Sequence, residues 1–210
     1  MVGKLYQIAL GMAYLHGKNV IHCDLKAVSI LLYNFHLSFQ ILSFQDNILI
    51  DESKNAMVAD FGVASIQDLM SRSAATLSGN SQHGNGTLRW MAPERLEGQS
   101  VQKSSDVYSF AITAWELYSS GEIPFSMLPD SIIVSLVLDR ERRPSRPARL
   151  QSDDLWSIIT ACWLQDPKGR PIFDDVHIKL KKLLAEGMYY CFALILLTIH
   201  CISSNCGDSQ

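Results

Sequence analysis

The sequence lacks any block of like charge, any apolar run as long as the roughly 20 residues that cross a bilayer, and any second cysteine or histidine pair at zinc-ligand spacing. Each absence removes a class of function. A net charge of −3 and a pI near 6.0 leave no electrostatic footprint for wholesale binding to nucleic acid or anionic membrane. Five cysteines, Cys23, Cys162, Cys191, Cys201 and Cys206, form an odd set at irregular spacings, unlike a disulfide framework. Residues 1–15 carry helical rather than signal-peptide patterning, so a reducing, cytoplasmic setting is the default expectation. No repeat of domain scale occurs. What remains is 210 residues, 48% hydrophobic and 19% charged, enough to bury one sizeable core.

Hydrophobic periodicity gives the outline. Leu5, Ile8, Ala9, Met12, Ala13 and Leu15 recur at helical spacing and predict an amphipathic helix to about His16, stopped by Gly17. Val20 and Ile21 open something short and extended. The apolar runs 48–50 and 56–59, separated by the polar 51–55, predict a hairpin with Asp60-Phe61-Gly62 at its far end. Residues 65–86 are rich in Ser, Gly, Asn and Thr and predict a mobile surface loop. From Ser105 and Asp106 to about Ser119 the chain is apolar nearly all round, interrupted by Ser109, Thr113 and Glu116. A helix with so little polar surface is expected at the centre. Residues 131–138, 153–163 and 173–184 predict further helices, the last two separated by the dense turn signal Asp166-Pro167-Lys168-Gly169-Arg170-Pro171. The Arg/Pro-rich 140–149 reads as a solvated connector more readily than as an import or nucleic-acid patch. Trp115 and Trp163 read as core.

Four landmarks carry the chemistry: His22-Cys23-Asp24-Leu25-Lys26, Asp60-Phe61-Gly62, Ala92-Pro93-Glu94, and Asp106 in Ser-Asp-Val-Tyr-Ser-Phe. An isolated aspartate in a polar loop is usually a solvated carboxylate or a turn former; the ordered set is what lifts these. Together with Gly86-Thr87-Leu88-Arg89-Trp90-Met91 and Cys162-Trp163 before Asp166-Pro167, the landmarks resemble the large lobe of eukaryotic protein kinases, in which H-R-D-L-K-x-x-N, D-F-G and A-P-E occur in this order. The resemblance covers residues 4–184. Residues 86–94 and 162–171 resemble the tyrosine-kinase-like group of serine/threonine kinases.

That resemblance implies an α+β fold, a large lobe mostly helical with short β-hairpins around the catalytic loop. It implies Mg-ATP-dependent phosphorylation of protein serine and threonine hydroxyls, with ATP and a protein substrate as partners and no nucleic acid. Asp24 would orient the substrate hydroxyl and accept its proton, and Lys26 would offset charge on the γ-phosphate oxygens. Asp60 and Asn47 would hold Mg²⁺ with hard oxygen donors. Thr87 would sit near the catalytic aspartate, Glu94 and Arg170 would form a partly buried ion pair, and Asp106 would accept hydrogen bonds from the catalytic-loop backbone.

The chain also departs from the family pattern. Cys23 stands where an arginine is usual, which argues against activation through an arginine paired with a phosphorylated side chain. No single phosphosite is favoured among Ser71, Ser73, Thr76, Ser78 and Ser81. The asparagine expected five positions after Asp24 is Ser29, and Asn-Ile-Leu appears only at Asn47-Ile48-Leu49. Removing the 18 residues 28–45 would restore a full catalytic loop. Three readings of that segment stand: a translated intron, a genuine insertion loop, or a shifted register in which 29–32 form the strand. The domain boundaries are therefore a partial kinase domain over 1–184 with an insert at 28–45, and a tail over 185–210. The tail's apolar stretch, 189–202, is either intron read-through or a weak membrane-anchor candidate shorter than a spanning helix. No glycine-rich phosphate-covering loop, strand lysine or partner glutamate lies within residues 1–210, so the chain is expected to hold the large lobe without the small one. A non-catalytic module that binds proteins through its helical face is the alternative function.

Overall fold

The structure, a computed structural model, describes residues 1–26, 48–51, 53, 55–59, 65–66 and 87–187. Helix α1, Val2–Gly17, buries Leu5, Ile8, Ala9, Met12 and Ala13 on one face, as the periodicity predicts, and His16 with them. Gly17 still belongs to the helix. The chain leaves it through Asn19, whose φ of 56° is the left-handed conformation that asparagine tolerates. Strand β1, Val20–Ile21, follows at once.

Strands β2, Ile48–Ile50, and β3, Ala56–Val58, form the predicted antiparallel hairpin, with Ile48 opposite Val58 and Ile50 opposite Ala56. Its polar turn is closed by Asp51, whose carboxylate accepts the Asn55 backbone N–H at 2.6 Å and the Asn55 side-chain amide at 3.1 Å. Those hydrogen bonds hold the Asp51 carboxyl below the usual carboxylate range. The hairpin is tied to α1 through Gln7, which accepts the Ala56 N–H at 2.8 Å and donates to Asn55 at 2.7 Å. A Cβ at Gly11 would meet Val58 Cγ2 at 3.4 Å, an ordinary packing contact, so α1 lies directly against β3 here.

One expectation changes. The serine-rich segment does not begin as loop: Ser65–Ile66 is a strand, β4, paired antiparallel with β1 through Val20 opposite Ile66. Two residues are too few to show an alternating pattern, and the partner lies far away in sequence, so no local signal marks it. Residues 67–86, Ser71 to Ser81 among them, the insert 28–45, and the tail beyond 187 lie outside the described residues.

The helical part is built round α3, Lys103–Tyr118, which is buried along most of its length. It starts slightly ahead of the expected position because Gln102 takes the N-cap, its backbone N–H reaching Ser105 Oγ at 3.4 Å. Before it come a 3₁₀ turn, Thr87–Trp90, and the short α2, Pro93–Leu96; after it come α4, Asp130–Leu138, and α5, Asp153–Cys162. The last described helix, α6, covers 173–187. Ser152 caps α5 by accepting the Leu155 N–H at 3.2 Å. Its buried residues Leu155, Ile158, Ile159 and Cys162 form the stripe that packs on α3. Burial pushes the Cys162 thiol up to about 12, which makes it a packing group rather than a nucleophile. Trp115 and Trp163 are core, 7% and 5% exposed.

The connector 140–149 is less solvated than its composition predicts. Arg143 donates to Trp163 O at 2.9 Å and to Gln165 Oε1 at 2.6 Å, and Arg146 pairs with Asp153 at 2.6 Å. Arg140, Arg142 and Arg149 are exposed. Among the described residues no helix is long and apolar enough to cross a membrane.

Candidate active site

The segment carrying Asp24 is held from behind by α3. Asp106, 1% exposed, accepts the Cys23 N–H on Oδ1 at 2.9 Å and the His22 N–H on Oδ2 at 2.8 Å. A buried carboxylate is stable only when several donors replace its water, and here the donors are the loop's own backbone. Two turns along the helix, Thr113 Oγ1 donates to Leu25 O at 3.2 Å. Residues 22, 23 and 25 are thus pinned on either side of Asp24. Cys23 adopts a φ of 72°, a conformation costly for a side-chain-bearing residue and maintained by those bonds.

His22, fully buried, ties the loop to the hairpin. Its Nδ1 accepts the Asp24 N–H at 3.3 Å, so Nε2 carries the ring proton and donates to Ala59 O at 3.0 Å. Ala59 directly precedes Asp60 in sequence. Lys26 Nζ lies 3.6 Å from Asp24 Oδ2, with the two side chains 12% and 19% exposed. The structure therefore brings Asp24 and Lys26 together. Asn47 and Asp60 lie outside the described residues, and of Thr87 only the backbone, at the start of the 3₁₀ turn, is described.

The same helix holds the segment 87–96. Ser109 Oγ donates to Trp90 O at 2.9 Å, and Glu116 Oε2 accepts from Trp90 Nε1 at 2.9 Å. Glu94 and Arg170 form a two-pronged ion pair, Nη1 to Oε1 and Nη2 to Oε2, each 2.8 Å, with side chains 3% and 0% exposed. Ser105 Oγ adds a third bond to Glu94 Oε1 at 2.8 Å. Burial by itself would raise the Glu94 pKa, but the Arg170 hydrogen bonds and charge outweigh it and hold the carboxyl below its ordinary value. Tyr108 lies between Arg170 and Arg143, whose guanidinium carbons are 5.2 and 5.0 Å from its ring centroid; burial pushes its hydroxyl up to about 12.

Sequence reasoning passed over Arg89, which donates to the carbonyls of Pro124, Phe125 and Leu128 at 2.7–2.8 Å and pairs with Asp130 at 2.8 Å. It also gave no task to Ser109, Thr113 and Glu116. With Asp106 these fall three, four and three residues apart, one polar stripe on an apolar helix, and that spacing was the available signal. Between the stripe, the loop and the 87–96 segment lies a small pocket lined by Cys23, Asp24, Trp90, Met91, Arg95 and Ser105. Asp24 lines it, with Lys26 Nζ 3.6 Å from the Asp24 carboxylate, on a backbone fixed at three points. Such a site can orient a hydroxyl and place a cation next to a developing negative charge.

Known proteins match the sequence along most of the chain. A family model described as protein tyrosine and serine/threonine kinase covers residues 1–180. Serine/threonine-protein kinase STY17 of Arabidopsis thaliana is 36% identical over 189 residues, which is 88% of this chain and 28% of that protein. Platelet-derived growth factor receptor beta of Homo sapiens is 33% identical over 187 residues, 89% of this chain and 15% of the receptor. Serine/threonine/tyrosine-protein kinase HT1 of Arabidopsis thaliana is 31% identical over 175 residues, 83% of this chain and 38% of that kinase. The chain thus spans well under half the length of each relative. With the large-lobe fold and the family match over residues 1–180 in agreement, the chain belongs to the protein tyrosine and serine/threonine kinase family.

Proposed function

We propose that residues 1–184 are the large lobe of a serine/threonine protein kinase and that Asp24 and Lys26 are its catalytic pair. The observation that carries this is the fixing of backbone at His22, Cys23 and Leu25 by Asp106 and Thr113, which presents Asp24 with Lys26 Nζ 3.6 Å away. Phosphoryl transfer asks little covalent chemistry of the protein and much positioning. Asp24 would aim the substrate hydroxyl and take its proton, and Lys26 would steady the phosphate oxygens. Serine/threonine rather than tyrosine preference rests on Lys26, since tyrosine kinases usually place another residue there.

The donor set fits Mg²⁺ in kind, a carboxylate at Asp60 and an amide oxygen at Asn47. These two residues would hold the ion, which supplies charge neutralisation along the ATP phosphates. Ala59, bonded to His22, and Ile48, paired with Val58, are the described neighbours of the two ligands. Glu94 and Arg170 would hold the activation segment to the helical base without touching substrate.

Residues 1–210 contain no phosphate-covering glycine loop, so the purified chain is expected to transfer no phosphate from Mg-ATP to a mixed serine, threonine and tyrosine peptide substrate. Phosphorylation that disappears in Asp60→Ala would contradict that expectation. In any longer protein that carries this segment, Asp24→Asn should lower kcat by on the order of 10²–10⁴. Label appearing on phosphoserine and phosphothreonine supports the proposed specificity, and label on phosphotyrosine alone overturns it.

A second reading, a non-catalytic protein-binding module, is favoured by the 18 extra residues at 28–45 that lie between Lys26 and Asn47. Thermal stabilisation by Mg-ATP distinguishes the two, because a ligand that binds only the folded state must raise its stability. A melting temperature unmoved by saturating nucleotide favours the binding module.

A further inference from the structure

Among the described residues, Arg89, Arg143, Arg146 and Arg170 are buried or half-buried, and each directs its donors at protein oxygens. Arg89 holds three carbonyls and Asp130, Arg143 holds Trp163 O and Gln165 Oε1, Arg146 holds Leu150 O and Asp153, and Arg170 holds Glu94. Arg95 in α2 is half-buried too, yet among the described residues its guanidinium makes no hydrogen bond and no ion pair. The acids nearest to it in sequence are engaged elsewhere, Glu94 with Arg170 and Ser105, and Glu97 with Gln99 Nε2 at 2.7 Å. A guanidinium drawn partly out of water loses hydration that nothing in the fold replaces. What it faces is the pocket that Asp24 lines from the other side.

We propose that Arg95 is a specificity-determining residue: its guanidinium takes an acidic side chain that the protein substrate carries close to the serine or threonine received by Asp24. This rests on the reading of Asp24 as the residue that aims the substrate hydroxyl. The cation is held ready. Glu94, immediately before it, is locked to Arg170, and Trp90 O is bonded to Ser109, so the backbone that carries Arg95 is anchored to α3 and to the helical base. Trp90, Met91 and Val101 make part of the pocket wall apolar, and charges attract more strongly beside such a wall than in open water. The planar fork of arginine suits a carboxylate, which it meets with two parallel hydrogen bonds.

The test is fluorescence anisotropy on the 210-residue chain, with a labelled peptide that carries one serine between glutamates and a twin with glutamines in their place. The parent is expected to bind the glutamate peptide about tenfold more tightly than the twin. Arg95→Gln should bring the two to within about twofold, and Arg95→Lys, with the charge but not the fork, should fall between. Arg142→Gln removes an exposed arginine that does not line the pocket and should keep the full preference. Equal binding of the two peptides by the parent, or binding of neither, overturns the proposal. So does a preference that survives Arg95→Gln, or one that Arg142→Gln abolishes as thoroughly, since the attraction is then diffuse. Arg95→Gln strands no acceptor among the described residues; should it still fail to fold, Arg95→Lys decides, a preference cut by about threefold supporting the proposal and an unchanged one overturning it. Phosphate transfer is not read at any point. A silent kinase assay therefore leaves this result standing, and an absent acidic preference leaves the assignment of Asp24 and Lys26 untouched.

Discussion

Replacing Arg170 with alanine is expected to cost about 3–5 kcal/mol of folding stability, measured by urea unfolding at pH 7. The loss arises less from the missing attraction than from what stays behind. Glu94, with its side chain 3% exposed, would lose both guanidinium bonds and the opposing charge, and the carbonyls of Ser104 and Leu164 would lose the Arg170 donors. Arg170→Lys keeps the charge without the planar fork and should fall between the two. The pH dependence gives a sharper reading. In the parent, Glu94 has a depressed pKa, so its contribution is complete above the ordinary carboxylate value near 4.5 and is lost as pH falls through the lower folded value. Without Arg170, burial is the dominant remaining influence and raises the Glu94 pKa above the unfolded value. The sign then reverses, and the variant should gain stability relative to the parent on acidification. A variant within about 1 kcal/mol of the parent at pH 7, with the same pH profile, would show that the ion pair does not anchor the 87–96 segment.

Asp106→Ala is expected to cost a comparable amount, about 3–5 kcal/mol, by stranding the His22 N–H, the Cys23 N–H and the His16 ring nitrogen together. The two losses should differ in where they are felt. Arg170→Ala loosens the junction of α2 with the helical base, whereas Asp106→Ala releases the strained conformation at Cys23, φ 72°. Limited proteolysis should therefore cut Asp106→Ala at 22–26 well before the rest of the chain unfolds. Cleavage at the same rate as the parent would mean that Thr113 and the β1–β4 pairing hold the loop by themselves.

How far the fold could be read in the sequence depended on how local the cause was. Helix α1 was legible because five of its buried residues repeat at helical spacing, and the β2–β3 hairpin because a polar turn separates two apolar runs. Helix α3 was legible as central from its apolar circumference. What escaped was set by partners distant in the chain. Strand β4 exists only because Val20 and Ile21 lie beside it, and Arg143 looked solvated because its acceptors at 163 and 165 are on another helix's exit. The site divided in the same way. Asp24, Lys26, Glu94, Asp106 and Arg170 stood out as members of an ordered set, whereas Arg89 and Thr113 act through bonds to carbonyls, which carry no trace in side-chain pattern.

The fixed ends of the segment 27–47 also bear on the 18 residues at 28–45. Leu25 is bonded to α3 on one side, and Ile48 is paired with Val58 on the other. Lengthening a loop between fixed points costs little, about 0.6 kcal/mol per doubling. The described anchors impose no limit on the length of chain between them.

The bonds that hold the loop to α3 join residues 83 to 88 positions apart. On the ribosome, at roughly 5–20 residues per second, the stretch bearing Asp24 is made seconds to tens of seconds before the helix that shapes it. Until then Ile21 and Leu25, which end at 1% and 0% exposure, have nothing from α3 to pack against. The earliest-made part of the site is consequently among the last to take form. In a nascent chain this short apolar stretch is where a chaperone would find its handle.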